Sequence, residues 1–119
     1  MRVKKHFETR PWGDFEAFTP TKKPSSFESV KIITVNPKSE LSLQYHEKRD
    51  EFMKIIKGKC VIRIGDEFFK AKTDDEFFIP KKKLHHIKTG KEGVQILEIS
   101  FDKFDEKDIV RISDKYGRK

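Results

Sequence analysis

The sequence predicts an all-β domain, an antiparallel sandwich or barrel, and three observations predict it. Short runs rich in β-branched and aromatic residues follow one another at close spacing, each cut off by Gly, Pro, Asn or Asp. No internal repeat and no long Gly/Ser/Pro-rich linker divides the 119 residues, so residues 1–119 form a single domain around one core. Only 34% of the chain is hydrophobic, so the bulk of that core must come from the 11 Phe residues and the Ile/Val runs.

The elements follow in order. TPTKKPSS (19–26), with Pro20 and Pro24, reads as a surface loop. FESVKIITV (27–35) is a β-branched strand that NPKSE ends, and LSLQYH (41–46) is the next, followed by the loop EKRD (47–50). EFMKIIK breaks at Gly58, CVIRI turns at GDE into FFKAK, EFFIP stops at Pro80, HHIKT ends at Gly90, and VQILEISF closes the series. The tail differs: acids come early, Ile109, Val110 and Ile112 lie in its middle, and basic residues come late. That order predicts a short C-terminal helix or turn beginning near Asp105 and packed over the β-domain.

Composition bounds the function. Charged residues make up 39% of the chain and the net charge is +7. No dense Arg/Lys block with interleaved aromatics occurs, so a phosphate-bearing metabolite is the expected partner and nucleic acid is not. No apolar run approaches a membrane span, and MRVKKHFETR lacks the apolar core of a signal peptide, so no membrane partner is expected. Cys60 is the single cysteine, which excludes an internal disulfide and suits a reducing cytoplasm. In its apolar setting it reads as a small buried hydrophobe. Trp12 reads as a packed anchor for the N-terminal arm, and His6 as solvent-exposed. The pairs Phe68–Phe69 and Phe77–Phe78 each put one ring in and one out, and outward rings on both strands predict a dimer face.

Chemistry concentrates in LSLQYHEKRDEF. Gln44 and His46 alternate along a strand and share a face. If EKRD closes a hairpin, His46 lies opposite Glu51. An amide oxygen, an imidazole and a carboxylate then converge as ligands for a divalent ion: Zn, Mn, Fe, Co or Ni, with Zn first. One of the neighbouring His85 and His86 supplies a fourth ligand. A set without thiolate suits an ion that keeps positions open for water or substrate.

These residues carry a family resemblance. The run from Lys38 through Gln44, His46, Glu51 and Gly58 resembles the first cupin motif, and Pro80 followed by His85 resembles the second, which selects His85 over His86. Lys38, Asp74 and Lys82 stand where those motifs often have Gly, Thr89 where they have Asn, and Gln44 where many cupins have the first His. LSLQYH, RPWGDFE (10–16) and EKDIVRISDKYGR (106–118) are similar to runs in the cupin domain of type II mannose-6-phosphate isomerases, here without the nucleotidyltransferase domain that often precedes it. The resemblance implies a double-stranded β-helix, or jelly-roll barrel, usually dimeric. It implies Gln44, His46, Glu51 and His85 around one divalent metal, and interconversion of mannose 6-phosphate and fructose 6-phosphate in the cytoplasm. That reaction moves a proton between C1 and C2, and a Lewis acid offsets the charge that develops. Arg111 and Arg118 are candidates to grip the phosphate of the hexose. Lys48 and Glu47 are candidates to carry the proton. The alternative reading is a non-catalytic cupin module that binds a sugar or sugar phosphate.

Overall fold

The structure, a computed structural model, describes residues 2–20, 29–101 and 107–117. Among these residues there are ten strands and no helix. In chain order they are β1 (Val3–Arg10), β2 (Gly13–Pro20), β3 (Ser29–Val35), β4 (Leu43–Tyr45) and β5 (Glu51–Ile64). The rest are β6 (Glu67–Lys72), β7 (Glu76–Ile79), β8 (His85–Lys88), β9 (Val94–Ser100) and β10 (Val110–Ser113). Their hydrogen-bonded order is β1-β2-β3-β9-β5-β8-β4-β10, with β6 and β7 also on β5, and every pairing is antiparallel. The all-β expectation is met, and the sheet curls over itself as the resemblance to a jelly roll implies.

The curl is made in β5. Its first half pairs with β9 and β7, and its second half with β6 and β8. Between them the register slips at Ile55/Lys57 and Gly58 takes φ 92°. A Cβ at Gly58 would lie 2.1 Å from the carbonyl oxygen of Gly93, so only glycine permits this approach. The break expected at Gly58 is therefore a bend within one 14-residue strand.

The structure adds to the sequence reading and departs from it at further points. The N-terminal arm is a β1–β2 hairpin turning at Pro11–Trp12, signalled by alternation that the arm's high charge obscures. The tail forms no helix over Val110–Ser113: this β-branched segment pairs with β4 as an edge strand, and the expected start near Asp105 lies outside the described residues. Of the loop expected at 19–26, Thr19 and Pro20 end β2 and the remainder lies outside the described residues. Finally, β4 and β5 form no hairpin. Gln44 pairs with His85 on β8, and Gln44 and Tyr45 pair with β10, so 47–50 crosses from one part of the curled sheet to another.

β3 and β9 alternate buried and half-buried positions throughout. Their inward Ile33, Val35, Val94 and Ile96 pack with Phe15, Met53, Ile55 and Ile62. Trp12 and Cys60 join this core, as expected, and burial pushes the Cys60 thiol up to about 12. Phe69 and Phe77 turn inward with ring centroids 5.4 Å apart. Phe68 and Phe78 turn outward, 65% and 54% exposed. Their partners on β5, Arg63 and Phe52, stand eleven positions apart, so the two rings lie at opposite ends of the strand and make no common patch.

Lys38, Asp74 and Lys82 have φ 53°, 75° and 67°, the non-glycine residues of positive φ among those described. These are the three positions where the cupin motifs favour glycine. The backbone thus keeps the glycine geometry without the glycines, at a cost of about 1–2 kcal/mol for a left-handed residue. Hydrogen bonds hold it there: Lys38 N–H donates to Gly90 O at 2.7 Å and Lys82 N–H to His46 O at 2.6 Å. Thr89, at the motif's Asn position, locks the same turn. Its hydroxyl accepts from Ser39 N–H at 2.9 Å and donates to Asn36 O at 2.5 Å.

Candidate metal centre

His46, Glu51 and His85 come together in the interior, each at least 96% buried. His46 ends the segment after β4, Glu51 begins β5, and His85 begins β8. Glu51 Oε1 lies 3.2 Å from His46 Nε2 and 3.5 Å from His85 Nε2, and the three candidate ligand atoms fall within 4.8 Å of one another. Ligands held ~2.0–2.1 Å from a tetrahedral ion stand roughly 3.3 Å apart, so the spacing suits one.

The ring orientations suit it too. His46 Nδ1 donates to the carbonyl of Asp108 at 2.6 Å, and His85 Nδ1 to the carbonyl of Lys83 at 3.1 Å. Each bond fixes the tautomer that leaves the Nε2 lone pair facing Glu51, the arrangement that metal-binding imidazoles adopt. Glu51 Oε1 makes no hydrogen bond of good geometry although it is buried. Two lone pairs and a carboxylate oxygen aimed at one another fit a divalent cation. Gln44 stands directly opposite His85 on the neighbouring strand, so both side chains belong to one face. Ser42 Oγ donates to Gln44 Oε1 at 2.5 Å, which orients the amide oxygen and leaves its second lone pair.

The cluster borders a cavity of about 130 Å³, whose lining includes Gln44, His46, Arg49, Glu51, Glu98 and Arg111. His85 reaches the cluster from outside this lining. Arg10 and Lys31 also face it, so four cationic side chains meet two carboxyls. Arg49 is buried with Nε 3.4 Å from Glu51 Oε2 and Nη2 3.3 Å from His46 Nε2. Lys31 and Glu98 are directly opposed on β3 and β9, and the Lys31 ammonium sits 4.4 Å from the centre of the Phe15 ring.

The two carboxyls are driven apart in acidity. Burial works to raise Glu51, yet the neighbouring His46, then His85 and Arg49, hold it well below the usual carboxylate range. Burial pushes Glu98 well above that range, and Glu51 beside it adds to the effect, against Lys31 and Arg49. Burial lowers His85, which keeps its ring neutral.

Of the other residues singled out in the sequence, Arg111 lines the cavity and Arg118 lies outside the described residues. Glu47 and Lys48 have exposed side chains outside the lining. Their backbone N–H groups donate to the Asp108 carboxylate at 2.9 and 3.0 Å, so Asp108 fixes the 47–50 loop while its carbonyl orients His46. Sequence reasoning missed Arg10, Lys31, Arg49, Glu98 and Asp108. The available signal was a charge at an inward slot of an alternating strand, Lys31 in SVKIITV and Glu98 in VQILEIS. A larger surface hollow, about 870 Å³, lies beside the other half of β5 among Lys59, Lys70, Lys72 and Lys88, and none of the ligating side chains lines it.

Comparison with known proteins gives the family and the fold. Residues 2–114 match the family model described as mannose-6-phosphate isomerase C-terminal. The chain is 34% identical over 111 residues to the xanthan biosynthesis protein XanB of Xanthomonas campestris pv. campestris strain B100, covering 92% of this chain and 23% of that protein. It is 30% identical over 111 residues to the mannose-1-phosphate guanylyltransferase ManC of Salmonella typhimurium, covering 92% and 22%. It thus spans less than a quarter of these relatives. A cupin-2 domain from Rhodospirillum rubrum superposes with a TM-score of 0.73 at 14% identity, covering 94% of this chain and 76% of that one, which shows the fold.

Proposed function

The chain belongs to the mannose-6-phosphate isomerase C-terminal family, and from that premise we propose that it is a metal-dependent isomerase interconverting mannose 6-phosphate and fructose 6-phosphate in the cytoplasm. The observation that carries the reading is the convergence of His46 Nε2, His85 Nε2 and Glu51 Oε1, both rings fixed in the ligating tautomer. Gln44 completes the set. A bound divalent ion, zinc first among the candidates, would supply a Lewis acid for oxygens at C1 and C2 of the open-chain sugar.

The chain's own residues do the rest. Gln44 and the imidazoles are neutral ligands, so a single carboxylate leaves more positive charge at the site than an all-carboxylate set would. Arg111 grips the phosphate, with Arg118 as the second candidate and Arg10 and Lys31 in support from the cavity wall. Glu98 is the second carboxyl of the cavity and is better placed than the exposed Glu47 or Lys48 to carry a proton between adjacent carbons. Metal-replete protein is expected to convert mannose 6-phosphate in a coupled assay and to lose turnover on Gln44→Ala. If metal-replete protein leaves the sugar unchanged, the isomerase reading fails.

One observation favours a second reading, a non-catalytic module for a sugar phosphate. The cavity, about 130 Å³, is smaller than the ~300 Å³ at which small-molecule sites usually begin. That reading expects mannose 6-phosphate to raise the melting temperature without turnover.

A further inference from the structure

Arg49 stands where an arginine is costly. It belongs to the 47–50 loop, and its neighbours Glu47 and Lys48 are exposed, yet its own side chain is buried at 3% exposure. Charged side chains are almost never fully buried unless they are paired. Arg49 is paired with the ligand set itself: Nη2 lies 3.3 Å from His46 Nε2, and Nε 3.4 Å from Glu51 Oε2. His46 Nδ1 already donates to the Asp108 carbonyl, so Nε2 is the acceptor of the ring and the Arg49 guanidinium is its donor. A neutral imidazole has one such lone pair. A bond to Arg49 and a bond to a divalent ion would use the same one.

The two cations also meet at Glu51. Its Oε1 faces both imidazoles, while Oε2 faces Arg49 and Ser100. A lysine or histidine in this place could lose its proton as an ion arrived, but a guanidinium cannot. Repulsion between buried charges is little screened, so an arriving ion must push Arg49 aside. The loop backbone is tied on both sides of Arg49. His46 O accepts from Lys82 N–H at 2.6 Å, and Glu47 and Lys48 N–H donate to the Asp108 carboxylate. Asp50 O accepts from Phe101 N–H at 2.9 Å, and Asp50 Oδ1 from Lys81 N–H at 2.7 Å. The side chain alone is left to turn. Arg49 lines the cavity of about 130 Å³, and Glu98 is the second carboxyl of that lining. The Arg49 charge already acts on Glu98, against the effect of burial there.

We propose that Arg49 is a resident counter-ion of the ligand cluster, one that competes with the divalent ion for His46 Nε2 and Glu51 and turns toward Glu98 when the ion is captured. Arg49 then keeps Glu51 and the imidazoles aligned before capture, so release of the ion never strands a buried carboxylate without a cation. The same pairing opposes capture and lowers the affinity of the site. This inference rests on the metal-centre reading and is independent of the isomerase chemistry.

Calorimetric titration of the metal-free protein with zinc tests it. Arg49→Met keeps the bulk of the side chain and removes its charge. It is expected to melt lower than wild type without the ion and to bind zinc at least about tenfold more tightly. A merely structural arginine would give the opposite sign, a weaker site. Arg111→Ala removes another cation of the cavity lining and is expected to gain less than Arg49→Met. Should Arg49→Met fail to fold, wild-type protein answers by NMR: a nuclear Overhauser contact between the Arg49 guanidinium and the His46 ring is expected without zinc and lost with it. Zinc binding to both proteins but no tighter to Arg49→Met overturns the proposal and leaves the metal centre standing. So does an Arg111→Ala gain as large as that of Arg49→Met, or an Arg49–His46 contact that persists in the zinc-bound protein. Zinc binding to neither protein overturns the metal centre and the proposal together.

Discussion

Zinc added to metal-free protein at about one hundred times its dissociation constant should stabilise the fold by RT ln(1 + 100), about 2.7 kcal/mol. Unfolding entropy of ~2.1 cal/mol/K per residue over 119 residues is about 250 cal/mol/K, so the melting temperature should rise by about 11 °C. His46→Ala removes one of the imidazoles that face Glu51 Oε1. A loss of about a hundredfold in affinity, at the same ion concentration, leaves RT ln 2, about 0.4 kcal/mol, and a rise below about 2 °C. His85→Ala should behave alike. Arg111→Ala, which changes a cavity-lining side chain outside the ligand cluster, should keep the full rise. The assay is differential scanning calorimetry with zinc, manganese, cobalt, nickel and iron(II) in turn, reversed with chelator. If no ion moves the transition, or if both histidine variants respond like wild type, then the cluster of His46, Glu51 and His85 is a buried hydrogen-bonded group and nothing more.

Three other outcomes follow from the same geometry. Lys82→Gly relieves a left-handed residue at φ 67° and keeps its N–H bond to His46 O, and after glycine's greater entropy in the unfolded chain it should gain about 0.5 kcal/mol, roughly 2 °C by thermal melting. Gly58→Ala drives a Cβ to 2.1 Å from Gly93 O at φ 92°, and should lower the urea-unfolding free energy by at least about 2 kcal/mol. Glu98→Gln should make the metal-free protein more stable above pH 7, with the gain vanishing near pH 4 in melts across pH. The sign follows from the raised pKa of Glu98: its contribution is fully present below the ordinary carboxylate value of 4.5 and is lost as pH rises through the folded value. Glu51 runs the other way, its contribution present above 4.5 and lost as pH falls through its depressed value.

Much of the fold was legible in the sequence because strand runs and their breakers are local signals. VKIITV and VQILEIS alternate, and β3 and β9 alternate with them. Gly58 was misread because a glycine that bends a strand and one that ends it look the same until the partner at Gly93 is known. The β1–β2 hairpin was obscured by charge, and β10 by acids that favour a helix start. At the site the residue types were legible and the route to them was not. A hairpin was expected to bring His46 to Glu51, whereas a loop crossing between parts of the curled sheet brings them together. Asp108 escaped notice because its role depends on segments about 60 residues apart meeting, as it meets the loop at Glu47, and Arg49 because within EKRD it looks like one more loop charge. Lys31 and Glu98 could have been found as charges in apolar slots of an alternating pattern.

β5 carries consequences for how the protein responds as a whole. Glu51 and Phe52 are consecutive, one turned toward the cavity and the other toward the outer side of the sheet. A single peptide unit therefore lies between the two, and a slip of β5 by one residue would exchange them, carrying a phenyl ring into the cavity and a carboxylate out of it.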